Sequence, residues 1–417
     1  MLEFAIVGFG NRGSTFAKLL KNEKRARLVA VAEVDADNRK LAQTQFGVKA
    51  ERCFSSADEF FEKGKICDAV ILCTQDAQHR EMAIRAMRLG YELLLEKPAA
   101  TTLEDCIAIR DTANGLGRKV MLAHGLRYAP FFYTIKKLIS EGKLGEVVTV
   151  NQTENIAFWH FALSYVRGPW RNMAASTPTI LAKCCHDLDL IAWFMNKKCK
   201  SVSSFGGLQY FRPECAPEGS AKYCVDCNAE TRKSCLYNAY EVYTEAQVQR
   251  GTGGTRKLIG KDVKGLIESR AHEIGRCVYH GDNDAVDHQV VNLLYEGGAT
   301  AHLTMTAFSQ RCYRFVKVHG TKGEVYGDAG KGILHYTPFG GERQEIDVNN
   351  AIAVDDAAFL GHGGGDYFLL MDFIGYLLGE EKTVTRTTID ESIESHIIGF
   401  KAEESRLNGG AMLTIER

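Results

Sequence analysis

No stretch of this 417-residue chain approaches an 18-residue apolar run, neither sign of charge dominates, and no internal repeat or low-complexity segment is present. The first absence removes any candidate membrane-spanning helix. With 51 basic against 52 acidic residues and a net charge of −1, nothing favours nucleic acid or an anionic membrane as partner. The apolar content, 45%, is that of an ordinary globular protein, and a chain this long buries a sizeable core, most naturally in two domains. A strand-like run already starts at residue 2, which leaves no space for a signal peptide and makes a reducing cytoplasm the expected compartment. The 13 cysteines are then expected as thiols or ligands before disulfides.

Residues 2–7 lead into Gly8-Phe9-Gly10-Asn11-Arg12-Gly13 and then into an amphipathic stretch, residues 14–20. Strand, G-x-G-x-x-G, helix is a dinucleotide-binding arrangement. Gly8 makes the tight turn, Gly10 lets backbone approach a pyrophosphate, and Gly13 lets helix pack on strand. A second apolar strand, residues 28–34, carries Glu33 twenty residues after Gly13. A carboxylate there accepts hydrogen bonds from ribose hydroxyls and repels a 2′-phosphate, which favours NAD over NADP. Arg12 and Arg39 pull the other way, because a guanidinium tolerates that phosphate.

Up to residue 124, β-rich runs at 2–7, 28–34, 69–74, 91–95 and 119–123 alternate with helical spacing at 38–46, 56–61, 78–89 and 103–114. The alternation predicts a doubly wound parallel sheet in a first domain, 1–124, followed by a second, 125–417. Such sheets bind ligands at the carboxyl ends of their strands. Thr74, Gln75 and His79 are therefore expected beside a nicotinamide; the other reading makes Asp76 a helix cap and His79 a surface residue. The run 91–95 closes in Glu96-Lys97-Pro98, which sets an ammonium at the same edge on a backbone that proline restricts and inclines toward a cis bond. Standing alone, that tripeptide also reads as a strand ending in a turn.

Gly8, Gly10 and Gly13, the 74–79 turn, Glu96-Lys97-Pro98 and the later His186-Asp187-Leu188-Asp189 stand in the order and approximate spacing of the Gfo/Idh/MocA oxidoreductases. The chain resembles that family across its first half. The resemblance implies NAD(P)-dependent chemistry on sugars, cyclitols and their derivatives, with Lys97 in catalysis, His186 as the catalytic-site histidine and Glu96 beside the cofactor. It also implies an N-terminal Rossmann domain and a C-terminal α+β domain with an open, mostly antiparallel sheet used in oligomerisation, hence a homodimer or homotetramer. Oxidation of a secondary hydroxyl is the first reading. Related proteins use NAD for a transient oxidation with net glycoside cleavage or epimer exchange, which is the second, and a nonenzymatic NAD-binding sensor is the third. One position departs from the pattern: where many of the family's dehydrogenases have aspartate four residues before the histidine, this chain has Ala182.

Lys183 follows that position. On a helix, Lys183, His186 and Asp187 share a face. Lys183 and Asp187 then form an ordinary ion pair, or Lys183 and His186 lie over the substrate hydroxyls while Asp187 or Asp189 orients them. Oxidising a secondary alcohol requires a base within reach of its proton. A lysine depressed by desolvation and a neighbouring cation qualifies, as does a histidine, and a positive group also stabilises the developing alkoxide. Lys97 with His186 is the expected pair. For the sugar itself, residues 159–171 combine aromatic, hydroxyl and guanidinium groups in a loop-like stretch, suited to apolar ring faces edged by hydroxyls. His160, Tyr165, Arg167 and Trp170, with Arg127 nearby in sequence, are the candidates, each of which also reads singly as a packing residue. The run Gly361-His362-Gly363-Gly364-Gly365-Asp366 can present His362 to the pocket or serve as a plain tight connection.

A polar, poorly periodic insert at about 212–283 holds Cys215, Cys224, Cys227 and Cys235, spaced C-x8-C-x2-C-x7-C. It has too few apolar residues to order itself, and four thiolates around a structural zinc would fix it, with Cys277 replacing Cys215 if the chain folds back. Unligated thiols and an iron–sulfur centre are the other readings; Cys184 and Cys185 read as core packing. Further on, strand patterns at 287–295, 299–308, 313–319 and 324–326, with turns at 296–298 and 321–323, predict antiparallel hairpins. One face is buried and the other is free to meet a second subunit. Helices at 367–378 and 389–407 close the chain.

Overall fold

The computed structural model describes residues 1–245, 248, 258–349 and 361–416. Strands β1 (Leu2–Val7), β2 (Ala26–Ala32), β3 (Cys53–Phe54), β4 (Ala69–Leu72), β5 (Glu92–Leu95) and β6 (Val120–Leu122) form a parallel sheet in the order β3-β2-β1-β4-β5-β6. β1 is buried from Phe4 to Val7 and β4 along its whole length, as a sheet covered by helices on both faces requires. Side-chain caps start three of those helices: Asp35 for Ala36–Phe46, Ser56 for Ala57–Phe61 and Thr102 for Leu103–Gly115. The helices Asn11–Lys21 and His79–Arg88 lack one, and the second has Glu81 in its first turn while the first has no acidic residue there. The helix Asn11–Lys21 begins at Gly10 with neither, so its N-terminus stays receptive to an anion. Strand order reverses between β1 and β4, and the loops leaving them diverge to open a crevice.

Among the described residues the second sheet has nine strands: β7 (Val147–Ala157), β8 (Cys199–Gly207), β9 (His288–Tyr295), β10 (Thr300–Ser309), β11 (Tyr313–Gly320), β12 (Gly323–Asp328), β13 (Ile333–Pro338), β14 (Gln344–Asp347) and β15 (Leu413–Thr414). Their order is β14-β13-β12-β11-β7-β10-β9-β8-β15, antiparallel except where β7 meets β10. The helices Thr179–Met195 and Ile389–Leu407 cover one face. Phe205, Val290, Leu294 and Phe315 are exposed. The predicted hairpins, β9 with β10 and β11 with β12, are present. β7 was not foreseen, because two of its inward positions are the polar residues Gln152 and Glu154, which break the apolar alternation.

Three expectations change. The second domain was drawn as 125–417, yet the helix Gly365–Leu378 returns to the first: Leu369, Leu370, Phe373 and Ile374 share a core with Phe4, Ile6 and Phe16, and Phe373 meets Phe4 edge-on at 6.0 Å. Residues 159–171 are less loop-like than expected, since Phe158–Phe161 is a helical turn and Ala162–Val166 a π-helix. The insert has a small core of its own, with Leu163, Cys224, Val242, Tyr243, Ile267 and Ile274 in one cluster. Among the described residues no helix is long and apolar enough to cross a membrane.

Candidate active site

The three glycines of the first loop differ in what demands them. Gly8 has φ +87°, and a Cβ there would meet the Cys73 carbonyl oxygen at 2.5 Å; a Cβ on Gly13 would meet the Gly8 carbonyl oxygen at 2.2 Å. A Cβ on Gly10 would find nothing within 4 Å. The protein's own packing therefore requires the first and third, while the second forms an open shelf at the uncapped helix N-terminus. A dinucleotide pyrophosphate fits that shelf. Glu33 stands next to it, its carboxylate accepting from the Phe9 N–H at 2.6 Å and the Asp35 N–H at 2.9 Å. Arg39 donates to the carbonyls of Glu33 and Val34 at 2.6 and 2.9 Å.

Arg12 points toward the other end of the cleft. Its Nε donates to Glu96 at 2.6 Å, and Nη1 and Nη2 donate to Asp366 at 2.7 and 2.9 Å. Arg12 and Glu96, both expected at the cofactor, thus clasp each other and the glycine loop. Burial works against the charge of Asp366, but the Arg12 guanidinium and His362 hold its carboxyl well below the usual range. His79 is corrected from cofactor contact to a tie: it is buried, with Nδ1 2.8 Å from the Pro98 carbonyl and Nε2 3.2 Å from that of Thr74. With both ring nitrogens engaged it joins the two loops that border the crevice. The Thr74 Oγ1 is buried without a partner.

A cleft of about 800 Å³ runs from Gly10 and Arg12 past Gln75 to Lys97, His186 and His362. The Lys97–Pro98 peptide is cis, and the Lys97 Nζ donates to the Ala182 carbonyl at 2.9 Å, which leaves two of its three protons for other acceptors. Among the described residues neither ring nitrogen of the buried His186 has a partner. The His362 ring lies 5.0 Å from it and the His124 ring 5.6 Å. Burial first, then neighbouring His362 and Lys97, hold His186 well below the ordinary histidine range, so it is neutral at pH 7. His362 has φ +50° and pairs through Nδ1 with Asp366 at 2.9 Å.

The substrate side rests on charges that cancel. Lys183 pairs with Glu154 at 3.0 Å and not with Asp187; burial opposes its charge, but Glu154 outweighs it and the ammonium is held firmly protonated. Asp187, expected at the substrate, is wholly buried and receives Nε and Nη2 of Arg314 at 2.8 and 3.0 Å together with the Gln152 amide. Arg314 also reaches Glu154 at 3.0 Å. Arg127 is likewise corrected: it is spent on a bidentate pair with Asp189 at 2.6 and 2.7 Å, over the Trp193 ring. Arg167 turns into the insert, donating to the carbonyls of Arg276 and Tyr237 at 2.7 and 2.8 Å. His160, Tyr165 and Trp170 do line the cleft, and the Trp170 indole N–H reaches Asp76 at 3.3 Å. Sequence reading missed Arg314 and Glu154, since neither belongs to a local motif and their partners come from a distant strand or from the helix Thr179–Met195.

Residues 2–124 match the model of an oxidoreductase family with an NAD-binding Rossmann fold, and residues 132–326 match a GFO/IDH/MocA C-terminal domain. The putative oxidoreductase YteT of Bacillus subtilis is 26% identical over 90% of this chain and 89% of its own length. A 2,7-anhydro-N-acetylneuraminate hydratase of Mediterraneibacter gnavus is 26% identical over 67% of this chain and 76% of its own. The structure of an Agrobacterium radiobacter oxidoreductase, in complex with NAD+, L-tartaric acid and magnesium, shares the fold with a TM-score of 0.72 at 16% identity, covering 99% of this chain and 98% of that one. Two family matches that together span most of the chain, over a sheet order and glycine shelf suited to a dinucleotide, place the protein in the Gfo/Idh/MocA family of NAD-dependent oxidoreductases.

Proposed function

We propose that the protein oxidises a secondary hydroxyl of an uncharged sugar, glycoside or cyclitol, with NAD bound along the glycine shelf as hydride acceptor. The observation that carries this reading is the convergence of Lys97 and the partnerless His186 in one cleft with Gly10 and Arg12. Neutral His186 accepts the hydroxyl proton, and the Lys97 ammonium stabilises the developing alkoxide. His362, one ring away and backed by Asp366, stands where it can take that proton outward. Preference for an uncharged substrate follows from the pairing of Lys183 and Arg314 with Glu154 and Asp187, which leaves those cations no surplus charge for a substrate carboxylate or phosphate. Glu33 beside the shelf, with Arg12 committed elsewhere, supports NAD over NADP.

Lys97→Met is expected to lower kcat on the order of 10³-fold while NAD binding, followed by calorimetry, is retained. Normal turnover by that variant ends the assignment. A second reading has the oxidation transient, with net cleavage or epimer exchange through a keto-sugar. Adjacent His186 and His362 favour it by offering a second base for a C–H proton, and the hydratase relative agrees with it. A panel of sugars, glycosides and cyclitols followed for both NADH and product mass separates the two: stoichiometric NADH supports net oxidation, and converted product without NADH supports the redox-neutral course.

A further inference from the structure

The insert holds a buried charge that lacks a counter-charge. Arg167 is 1% exposed, and its guanidinium donates to the carbonyls of Arg276 and Tyr237, to the Tyr243 hydroxyl at 3.2 Å and toward the Cys224 sulfur at 3.8 Å. Among the described residues no carboxylate pairs with it. Buried cations are as a rule paired, because leaving one unpaired costs several kcal/mol. The same guanidinium lines a small cavity of about 20 Å³, room for a single ion, whose wall includes Cys224, Cys227, Cys235 and Cys277.

Each of the four sulfurs faces a donor. The Ala221 N–H points at Cys227 at 3.3 Å, the Tyr237 N–H at Cys235, the N–H groups of Tyr279 and His280 at Cys277, and Arg167 at Cys224. Donors two and three residues past a cysteine are what a thiolate ligand uses to spread its charge. Cys277 arrives because its N–H bonds the Lys222 carbonyl at 2.9 Å, where a bridge between Tyr223 and Arg276 draws it beside the Cys224 turn. Cys215, part of the set expected from spacing, does not line this cavity and its thiol donates to the Gln209 carbonyl at 3.5 Å.

A second buried cluster, His124, Cys185 and His396, has its ligand atoms within 4.8 Å of one another. Its His396 is not open to an ion: the Ala99 N–H occupies the His396 Nε2 at 2.9 Å, and the Ser392 carbonyl takes the other ring nitrogen at 3.0 Å. The four sulfurs of the insert lie more widely spaced than that trio, and an ion among them would draw them in to about 2.3 Å bonds.

We propose that Cys224, Cys227, Cys235 and Cys277 bind one zinc ion as thiolates, with Arg167 as the counter-charge. Four thiols release four protons to solvent as Zn²⁺ enters, and the centre carries a net charge of −2 beside the guanidinium. The site is structural. Arg167 directly follows the π-helix Ala162–Val166, and Leu163 of that helix both lines the cleft and packs in the insert core, so the ion anchors the insert to the substrate wall.

The test uses the full-length protein purified without chelator, with metals measured by inductively coupled plasma mass spectrometry. About one zinc per chain is expected in the wild type and in Cys215→Ser, and at least a tenfold loss in Cys227→Ser and Cys277→Ser. Should the latter two fail to fold, titrating wild-type thiols with an organomercurial reads the same site, with zinc released as the four cysteines react. Wild-type protein from zinc-supplemented cells carrying only trace zinc, iron with sulfide in its place, or zinc lost in Cys215→Ser but kept in Cys277→Ser would each overturn the proposal.

Discussion

The two walls of the cleft are made of different materials. On the cofactor wall the backbone does most of the work: Gly8, Gly10 and Gly13, an uncapped helix end, and a carboxylate that braces the loop through N–H groups. On the substrate wall the surface is presented by side chains from distant segments, held by the buried charges of Lys183, Glu154, Arg314 and Asp187. A backbone site is specified by local sequence. A side-chain site exists only once strands β7 and β11 and the helix Thr179–Met195 have met, which makes it the part that can be retuned for a new substrate.

That contrast is broken most forcefully by Asp187→Asn. The change keeps shape but removes the anion that receives two donors from Arg314, and a buried pair broken on one side costs about 3–5 kcal/mol. Urea unfolding is expected to show that loss, with KM for the substrate raised and NAD affinity unchanged. Glu33→Gln, an equally conservative change on the partly exposed cofactor wall, takes one of two acceptor oxygens from the loop N–H groups and is expected to cost about 1 kcal/mol. Equal losses from both variants would mean that the two walls are not built differently.

A finer division lies within the cofactor wall. Gly13→Ala drives a Cβ into the Gly8 carbonyl and is expected to cost about 1–3 kcal/mol of folding stability as the loop shifts. Gly10→Ala meets no protein atom, so stability is expected to hold while NAD affinity falls about tenfold, as read by calorimetry and thermal melts in parallel. Gly10→Ala binding NAD as tightly as the wild type would mean the shelf is not where the pyrophosphate lies.

The same division explains what could be read from sequence. The parallel sheet, its glycine loop and the strand-end place of Lys97 follow from periodicity and short motifs, because each depends on neighbours a few residues away, whereas the expected role of His186 rests on the family resemblance. β3 escaped because two residues leave no period, and β7 because Gln152 and Glu154 occupy inward positions that an apolar pattern would fill. Arg127, Arg167 and Asp187 look like ligands in sequence because charge suggests contact with a ligand. Their partners, Asp189, Arg276 and Arg314, are visible only in three dimensions. His362 was legible as a loop residue, but its pairing with Asp366 and the return of the helix Gly365–Leu378 to the first core were not.

The smallest effect per step comes from pH, and it tests the floor between the walls. His124, His186 and His396 are buried together there, and burial lowers all three below the ordinary value of 6.5, His124 to about 3. A histidine depressed in the folded state takes up its proton more readily when unfolded. Stability from each is therefore complete above about pH 6.5 and is lost as pH falls toward the folded value, by about 1.4 kcal/mol per pH unit. Asp189, whose carboxyl burial opposes but Arg127 holds below its ordinary 3.8, loses its contribution only at lower pH, and Glu154, raised by burial, is common to wild type and variant, so the difference between their urea melts from pH 6.5 to 4.5 reports the imidazole. His124→Asn is expected to flatten that slope by about one histidine's share. A slope unchanged in the variant would show that His124 already carries its proton in the fold, and with it that the floor beneath His186 is wetter than its burial implies.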